Sequence, residues 1–245
     1  MKNEVFSADK AAAQLRTVKN KGMRMMQMLL GAAFFILHSS FFVSCSEESS
    51  EEDEFANWQQ RNDVFFASLE DSLAAAALPG APAQWFKFKS FSKDQTPGSG
   101  TNTEYVYAKV VENGASADMP MFTDSVRVCY QGRLIPSTTY PEGYVFDGTV
   151  FGKYNPSVNG TATFLPSSSN LIEGFATALI HMHRGDTWRV FIPYQLGYGS
   201  TKQNSIPPYS TLIFDITLID FAATGQALPS WNARELRTPS AVEGK

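Results

Sequence analysis

The sequence predicts an α+β fold: an antiparallel sheet packed against one short helix, preceded by a helical extension. Three observations carry this reading. Four runs read as strands: YVYAKVV from Tyr105 and DSVRVCYQGRLI from Asp124 alternate in character, and DTWRVFIP from Asp186 and STLIFDITLIDF from Ser210 return to strand. One stretch, NLIEGFATALIHMHRG from Asn170, changes period, so that Leu171, Phe175, Leu179 and Met182 share a helical face and Gly185 stands where a helix stops. The intervening segments ENGASADMP and PSTTYPEG are rich in turn residues.

Composition sets the limits within which the elements are read. A chain of 245 residues is long enough for one ordinary domain with additions, and 43% hydrophobic residues against 18% charged ones is globular usage. The formal net charge of -4, without a cluster of Lys or Arg, speaks against a nucleic-acid partner, which needs a basic footprint.

From the N-terminus, Lys19, Lys21 and Arg24 precede the apolar run MLLGAAFFIL (Met28 to Leu37), followed by HSSFFVSC and SEESSEEDE. This order of charge, apolar run and small residue is that of a secretory signal over residues 1–44. FVSC resembles a bacterial lipobox, which makes Cys45 the expected lipidation site and places Phe42 where an aliphatic residue is usual. Residues 1–22 exceed what a signal needs, so translation is expected to begin at Met23 or Met25. The other reading is an uncleaved anchor over Met25 to Val43, close to the roughly 20 residues that span a bilayer; Gln27, His38, Ser39 and Ser40 weigh against it. Either way the rest of the chain lies outside the cytoplasm. Losing residues 1–44 removes six basic and two acidic residues, leaving 14 against 22 and a net charge of -8. Residues 45–54 are read as an acidic tether, since six of the nine residues after Cys45 are acidic. The run is also similar to the acidic export signal of surface lipoproteins of the Bacteroidetes.

Residues 55–104 are read as a helical extension and loop. In FANWQQRNDVFFASLEDSLAAAALPG, Phe55, Trp58, Phe65, Leu69, Leu73 and Ala76 follow helical spacing, and Pro79-Gly80 ends it. Its aromatic face is expected to pack on the domain or on a second copy, so self-association through the helix around Phe55 to Ala76 is a candidate. QWFKFKSF fits a short strand, and SKDQTPGSGTNTE a polar loop. In the run from Asp124, Val126, Val128 and Tyr130 alternate with Ser125, Arg127 and Cys129, and Cys129 is read as a small packed side chain. TATFLP fits a further strand. Residues 223–245, including GQALPSWNARELRTPSAVEGK, lack a period and are expected to be a loose tail.

Conventional catalytic sets are missing. His181 and His183 of HMH stand two apart at the end of a helix, so they point to different faces, and no Cys or acid stands at ligand spacing; no metal site is expected. No nucleophile elbow, phosphate loop or dinucleotide fingerprint occurs, and no cofactor is implied. The Arg-Gly-Asp of HRGD sits at a helix-to-strand turn and is read as a tight connection. What stands out is aromatic and apolar residues beside Gly and Pro: Tyr144, Phe146, Phe151, Tyr194, Tyr198, Ile206 and Tyr209. Such residues outside the firm strands suggest a lined apolar pocket.

Four stretches, DSVRVCYQGRLI, GYVFDGT, NLIEGFATALIHMHRGDTWRVFIPYQLGYG and SIPPYSTLIFDITLIDF, resemble in order and spacing the FKBP-type peptidyl-prolyl cis/trans isomerases. The resemblance covers residues 105–222, about half of the chain. It implies an FKBP-like curved antiparallel sheet wrapped around one short helix and an isomerase acting on X–Pro bonds of extracytoplasmic polypeptides, as an outer-membrane lipoprotein on the periplasmic side or the cell surface. A non-catalytic binding or chaperone-like module on the same scaffold is the alternative. By the same resemblance Tyr198, Asp147, Phe146, Ile172 and Phe214 are the catalytic positions, and Tyr130, Leu171, Phe175 and Ile206 bind substrate. Ile172 would offer a backbone N–H, Tyr198 a hydroxyl and Phe175 the pocket floor. The chain departs from the family at Ala162, where a second aromatic residue is frequent, and between Val150 and Gly160, which lacks the arginine that often meets the family's aspartate. The STKQNS segment before Ile206 is also shortened. Without that arginine, Asp147 is expected to be desolvated by the neighbouring rings.

Overall fold

The computed structural model describes residues 54–150, 152–155 and 160–230. The signal over 1–44, Cys45 with all but the last residue of the acidic tether, Phe151 and the tail from 231 lie outside the described residues.

The alternating runs become strands of one antiparallel sheet: β1 (Trp85–Lys89), β2 (Tyr105–Glu112), β3 (Ser125–Arg133), β4 (Val145–Gly148), β5 (Ala162–Phe164), β6 (Thr187–Ile192) and β7 (Leu212–Ala222). Their spatial order is β1-β2-β6-β7-β3-β4, with β5 also paired to β3. The single helix between β5 and β6, α3 (Glu173–Leu179 in the numbering used below), packs against β1, β2 and β6. It is shorter than the spacing predicts. Leu171 and Ile172 precede it, Ile172 being extended at φ -61, ψ 141, and Met182 follows it in a turn. Every residue from Gly174 to Leu179 is buried. Gly174 makes the close approach possible, because a Cβ there would meet Ile192 Cγ2 at 2.2 Å.

The extension is two helices, α1 (Trp58–Ala67) and α2 (Leu69–Ala76), parted at Ser68. Their buried side chains, Trp58, Asn62, Phe66 and Leu69, face the protein's own domain, and Phe66 meets Tyr107 of β2 edge-on at 5.2 Å. The aromatic face packs on the protein's own domain; among the described residues of this segment, Val64 and Leu78 are the large apolar side chains that stay exposed. Lys87 of β1 and the Tyr107 hydroxyl of β2 both donate to Glu70 of α2, which pins α2 to the sheet. The expected boundary at residue 105 therefore falls inside one sheet: β1, from the extension, pairs along β2 from Trp85 opposite Lys109 to Lys89 opposite Tyr105.

Two further expectations are revised. Cys129 is packed, as read, but not on a solvated face: β3 is buried on both sides because Tyr154 crosses its outer face, donating to the Cys129 carbonyl at 3.1 Å. Burial pushes the Cys129 thiol up to about 11. The described start of the tail is also held, with Thr224 Oγ1 donating to Thr123 O at 2.7 Å and Arg127 to the Pro229 carbonyl.

The HRGD turn is a connection, as its position predicts. Gly185 takes φ +93, while the buried Asp186 carboxylate accepts the N–H groups of Gly114 at 2.7 Å and His183 at 2.8 Å. The two histidines serve packing: His181 stacks on Phe88 at 4.3 Å, and His183 faces Asp186.

Candidate active site

Strand alternation places Tyr130 and Gly132 of β3, Phe146 of β4, Phe164 of β5 and Phe214 of β7 toward α3, whose Phe175 meets them. Phe175 is the hub. Its ring centroid lies 5.0 Å from Phe214, 5.4 Å from Phe164 and 5.7 Å from Tyr130, each edge-on, and Phe146 closes on Phe214 at 5.6 Å. Edge-to-face contacts at these distances are the favoured geometry for aromatic quadrupoles, so the five rings hold one another as well as excluding water. Gly132 is what lets two of them cross β3, since a Cβ there would stand 2.6 Å from Phe214 Cε1 and 2.7 Å from Phe146 Cε2.

Around this floor the other expected residues assemble. Leu171, Ile172, Tyr198 and Ile206 belong to the same apolar cluster, Ile206 buried and the other three half-buried. The Ile172 carbonyl accepts the N–H groups of Phe175 and Ala176, both at 3.1 Å, while its own N–H donates to no group among the described residues. The adjoining Glu173 carboxylate accepts the hydroxyls of Ser90 and Ser92, tying the start of α3 to the end of β1. The Tyr198 hydroxyl likewise has no hydrogen-bond partner among the described residues. Burial, followed by the Asp147 charge, raises that hydroxyl above the ordinary tyrosine range, so it remains a donor at neutral pH.

Asp147 does not match the expected desolvated acid. It is exposed, it accepts the Tyr130 hydroxyl at 2.8 Å, and its other oxygen takes the Gly148 N–H at 2.8 Å. Tyr130 thus gives this carboxylate a neutral hydrogen-bond donor where the absent arginine would have given a charged one. Burial first and the Asp147 hydrogen bond second raise the Tyr130 hydroxyl far above its ordinary value. Two residues the motif reading passed over complete the site: Phe164 and Gly132. Phe164 was legible in TATFLP as the inward position of a short strand, and Gly132 as the only residue without a side chain on the inner face of β3.

Ala162 is half-buried beside the cluster and contributes no ring. Among the described residues no group of three metal-ligating side chains comes together and no helix is long and apolar enough to cross a membrane.

Residues 117–219 match the family described as FKBP-type peptidyl-prolyl cis-trans isomerase. The chain is 38% identical over 117 residues to a macrophage infectivity potentiator of Trypanosoma cruzi, covering 47% of this chain and 53% of that one. It is 36% identical over 113 residues to the FKBP-type 22 kDa peptidyl-prolyl cis-trans isomerase of Escherichia coli strain K12, covering 46% and 48%. It is 38% identical over 112 residues to the outer membrane protein MIP of Legionella longbeachae, covering 45% and 42%. The matched part spans about half the length of these relatives. The family-matched residues 117–219 take in β3 to β6 and most of β7 and leave out β1, β2 and both extension helices. With its antiparallel sheet closed on one short helix, the chain carries an FKBP-type domain of FKBP-like fold over residues 117–219.

Proposed function

We propose that this protein isomerises X–Pro peptide bonds of polypeptides outside the cytoplasm and so assists their folding. One observation carries the reading: a five-ring apolar surface lies beside two donors, the Ile172 N–H and the Tyr198 hydroxyl, with no partner among the described residues. Rotation about X–Pro crosses a barrier of about 18–20 kcal/mol because amide resonance is broken, and no covalent bond is made or cleaved. A site without a nucleophile or proton shuttle is therefore sufficient. The twisted amide is less charge-separated than the planar one, so a dry aromatic surface favours it, while the two donors hold the substrate carbonyls. A millionfold acceleration requires about 8 kcal/mol of such differential binding.

In this reading Tyr198 donates to the carbonyl before proline and Ile172 N–H to the one after it. Phe175 is the floor, Phe146, Phe214, Tyr130 and Ile206 enclose the ring, and Asp147 orients the Tyr130 wall; Leu171 flanks the entrance. The relatives' names support an envelope location, and the sequence supports lipidation at Cys45, an outer-membrane lipoprotein facing the periplasm or the cell surface, and the acidic run as its tether. Ala162 in place of a second aromatic residue favours the second reading, a binding module with little catalysis. A protease-coupled isomerisation assay on the full chain in detergent, with peptides varied at the residue before proline, separates the two. The isomerase reading expects a rate proportional to protein concentration; a rate equal to the uncatalysed one, with peptide still bound, would leave only the binding module.

A further inference from the structure

Tyr198 and Ile206, two walls of the site, are carried by a long connection between β6 and β7 with little regular structure of its own. Inside it, Gln203 and Ile206 exchange hydrogen bonds at 3.0 and 2.7 Å, and Tyr209 N donates to Gly199 O at 2.8 Å. Tyr209 takes φ +60, a left-handed conformation that a ring-bearing residue adopts only when its surroundings enforce it. α1 holds the two residues that follow it. Trp58 Nε1 donates to Ser210 Oγ at 2.8 Å, and Ser210 Oγ donates in turn to the Pro207 carbonyl at 2.7 Å, next to Ile206. Asn62, with 0% exposure, accepts the Thr211 N–H at 2.7 Å and donates to the Trp58 carbonyl at 2.7 Å.

A buried amide on the packing face of a helix is unfavourable unless both of its ends are bonded, and leucine would fill the same place at less cost. Here both ends are used: the amide nitrogen on the Trp58 carbonyl of its own helix, and the amide oxygen on the connection bearing the site. Trp58 and Ile206 are both buried members of the hydrophobic core. We infer that Trp58 and Asn62 are positioning residues of the proline site: from a helix outside the family-matched residues, they fix the segment that presents Tyr198 and Ile206. The inference rests on the isomerase reading for its functional consequence, but its structural content can be read separately.

The test uses the full chain with Trp58→Phe, which keeps a ring and removes the indole N–H, and with Ser210→Ala, which removes the other end of the same bond. Assayed where circular dichroism shows each variant folded, both should lose kcat/KM by about tenfold, mainly through KM, since small displacements of positioning groups are expensive. The double variant should lose less than the two single losses combined, because the Trp58–Ser210 bond is common to both changes, while Ser210→Ala also removes the bond to the Pro207 carbonyl. Lowered Tm with unchanged kcat/KM, or fully additive losses, would overturn the positioning role. If the wild-type chain is itself inactive, the isomerase reading has failed, and the NMR resonances of the Tyr198 ring and the Ile206 methyl groups decide this inference alone. Shifted or broadened signals in folded Trp58→Phe uphold it, and unchanged ones overturn it.

Discussion

Phe214 and Asp215 are neighbours in β7 and serve opposite faces of the same sheet. Phe214 points to α3 and joins the ring cluster, 5.0 Å from Phe175. Asp215 points outward, where its carboxylate binds Arg189 of β6 at 2.7 and 3.0 Å and Arg133 of β3 at 3.1 Å. A concavity of about 510 Å3 opens on that outer side, lined by Gln131, Arg133, Arg189 and Asp215 among others, and has no counterpart to the aromatic floor. One alternation of side chains thus separates two tasks. The inner face supplies the apolar surface, and the outer face ties together the three central strands that hold the inner rings in register.

The two faces should fail differently. Phe214→Ala is expected to have the largest effect, about 3–5 kcal/mol of stability from the cavity and lost contacts, with kcat/KM falling further than for any outer-face change; chemical denaturation and the isomerisation assay give the two numbers. Asp215→Ala leaves Arg133, whose side chain is 12% exposed, without its carboxylate. It should cost about 3 kcal/mol, at the low end for a broken buried pair because Arg189 is partly solvated, yet leave the kcat/KM of the folded protein within about twofold, corresponding to less than 0.5 kcal/mol at the inner face. Tyr198→Phe keeps the ring and removes one donor, so a loss of about fivefold, near 1 kcal/mol, is expected in kcat/KM with Tm little changed.

The smallest effect lies at alkaline pH. Burial and Asp147 raise the Tyr130 hydroxyl in the folded state. Its contribution to stability is therefore complete below the unfolded value of about 10 and is lost as pH rises above it, because the unfolded chain ionises first. Tyr130→Phe should flatten the decline in stability above pH ~10. A decline of the same slope in that variant would assign the effect to another group.

This division by face was largely legible in the sequence, because a period of two fixes which residues share a side. Tyr130 was legible from the strand period, Phe175 from the helical one, and Phe146 and Phe214 from the family resemblance, and the structure gathers them on one floor. Three features escaped for physical reasons. Gly132 signals a close approach only when the rings that approach are known. Asp147 was expected to be desolvated because the reading placed the rings around it but not the Tyr130 hydroxyl, whose direction depends on a rotamer. The role of Asn62 depends on a hydrogen bond to Thr211, 149 residues away, which no local pattern carries. The pairing of β1 with β2 across the expected boundary at residue 105 escaped for a related reason: the two strands are separated by a polar loop, and pairing across such a loop is a tertiary fact.

The central claim is that the inner aromatic face, and not the outer ionic one, is where X–Pro bonds turn. The most direct measurement is two-dimensional NMR exchange spectroscopy of a proline peptide held at equilibrium with substoichiometric protein, comparing wild type, Phe214→Ala and Asp215→Ala under conditions where all three are folded. Cross-peaks linking the cis and trans proline signals should appear with wild type, persist with Asp215→Ala and vanish with Phe214→Ala. Exchange that survives Phe214→Ala but is abolished by Asp215→Ala would contradict the assignment of the site.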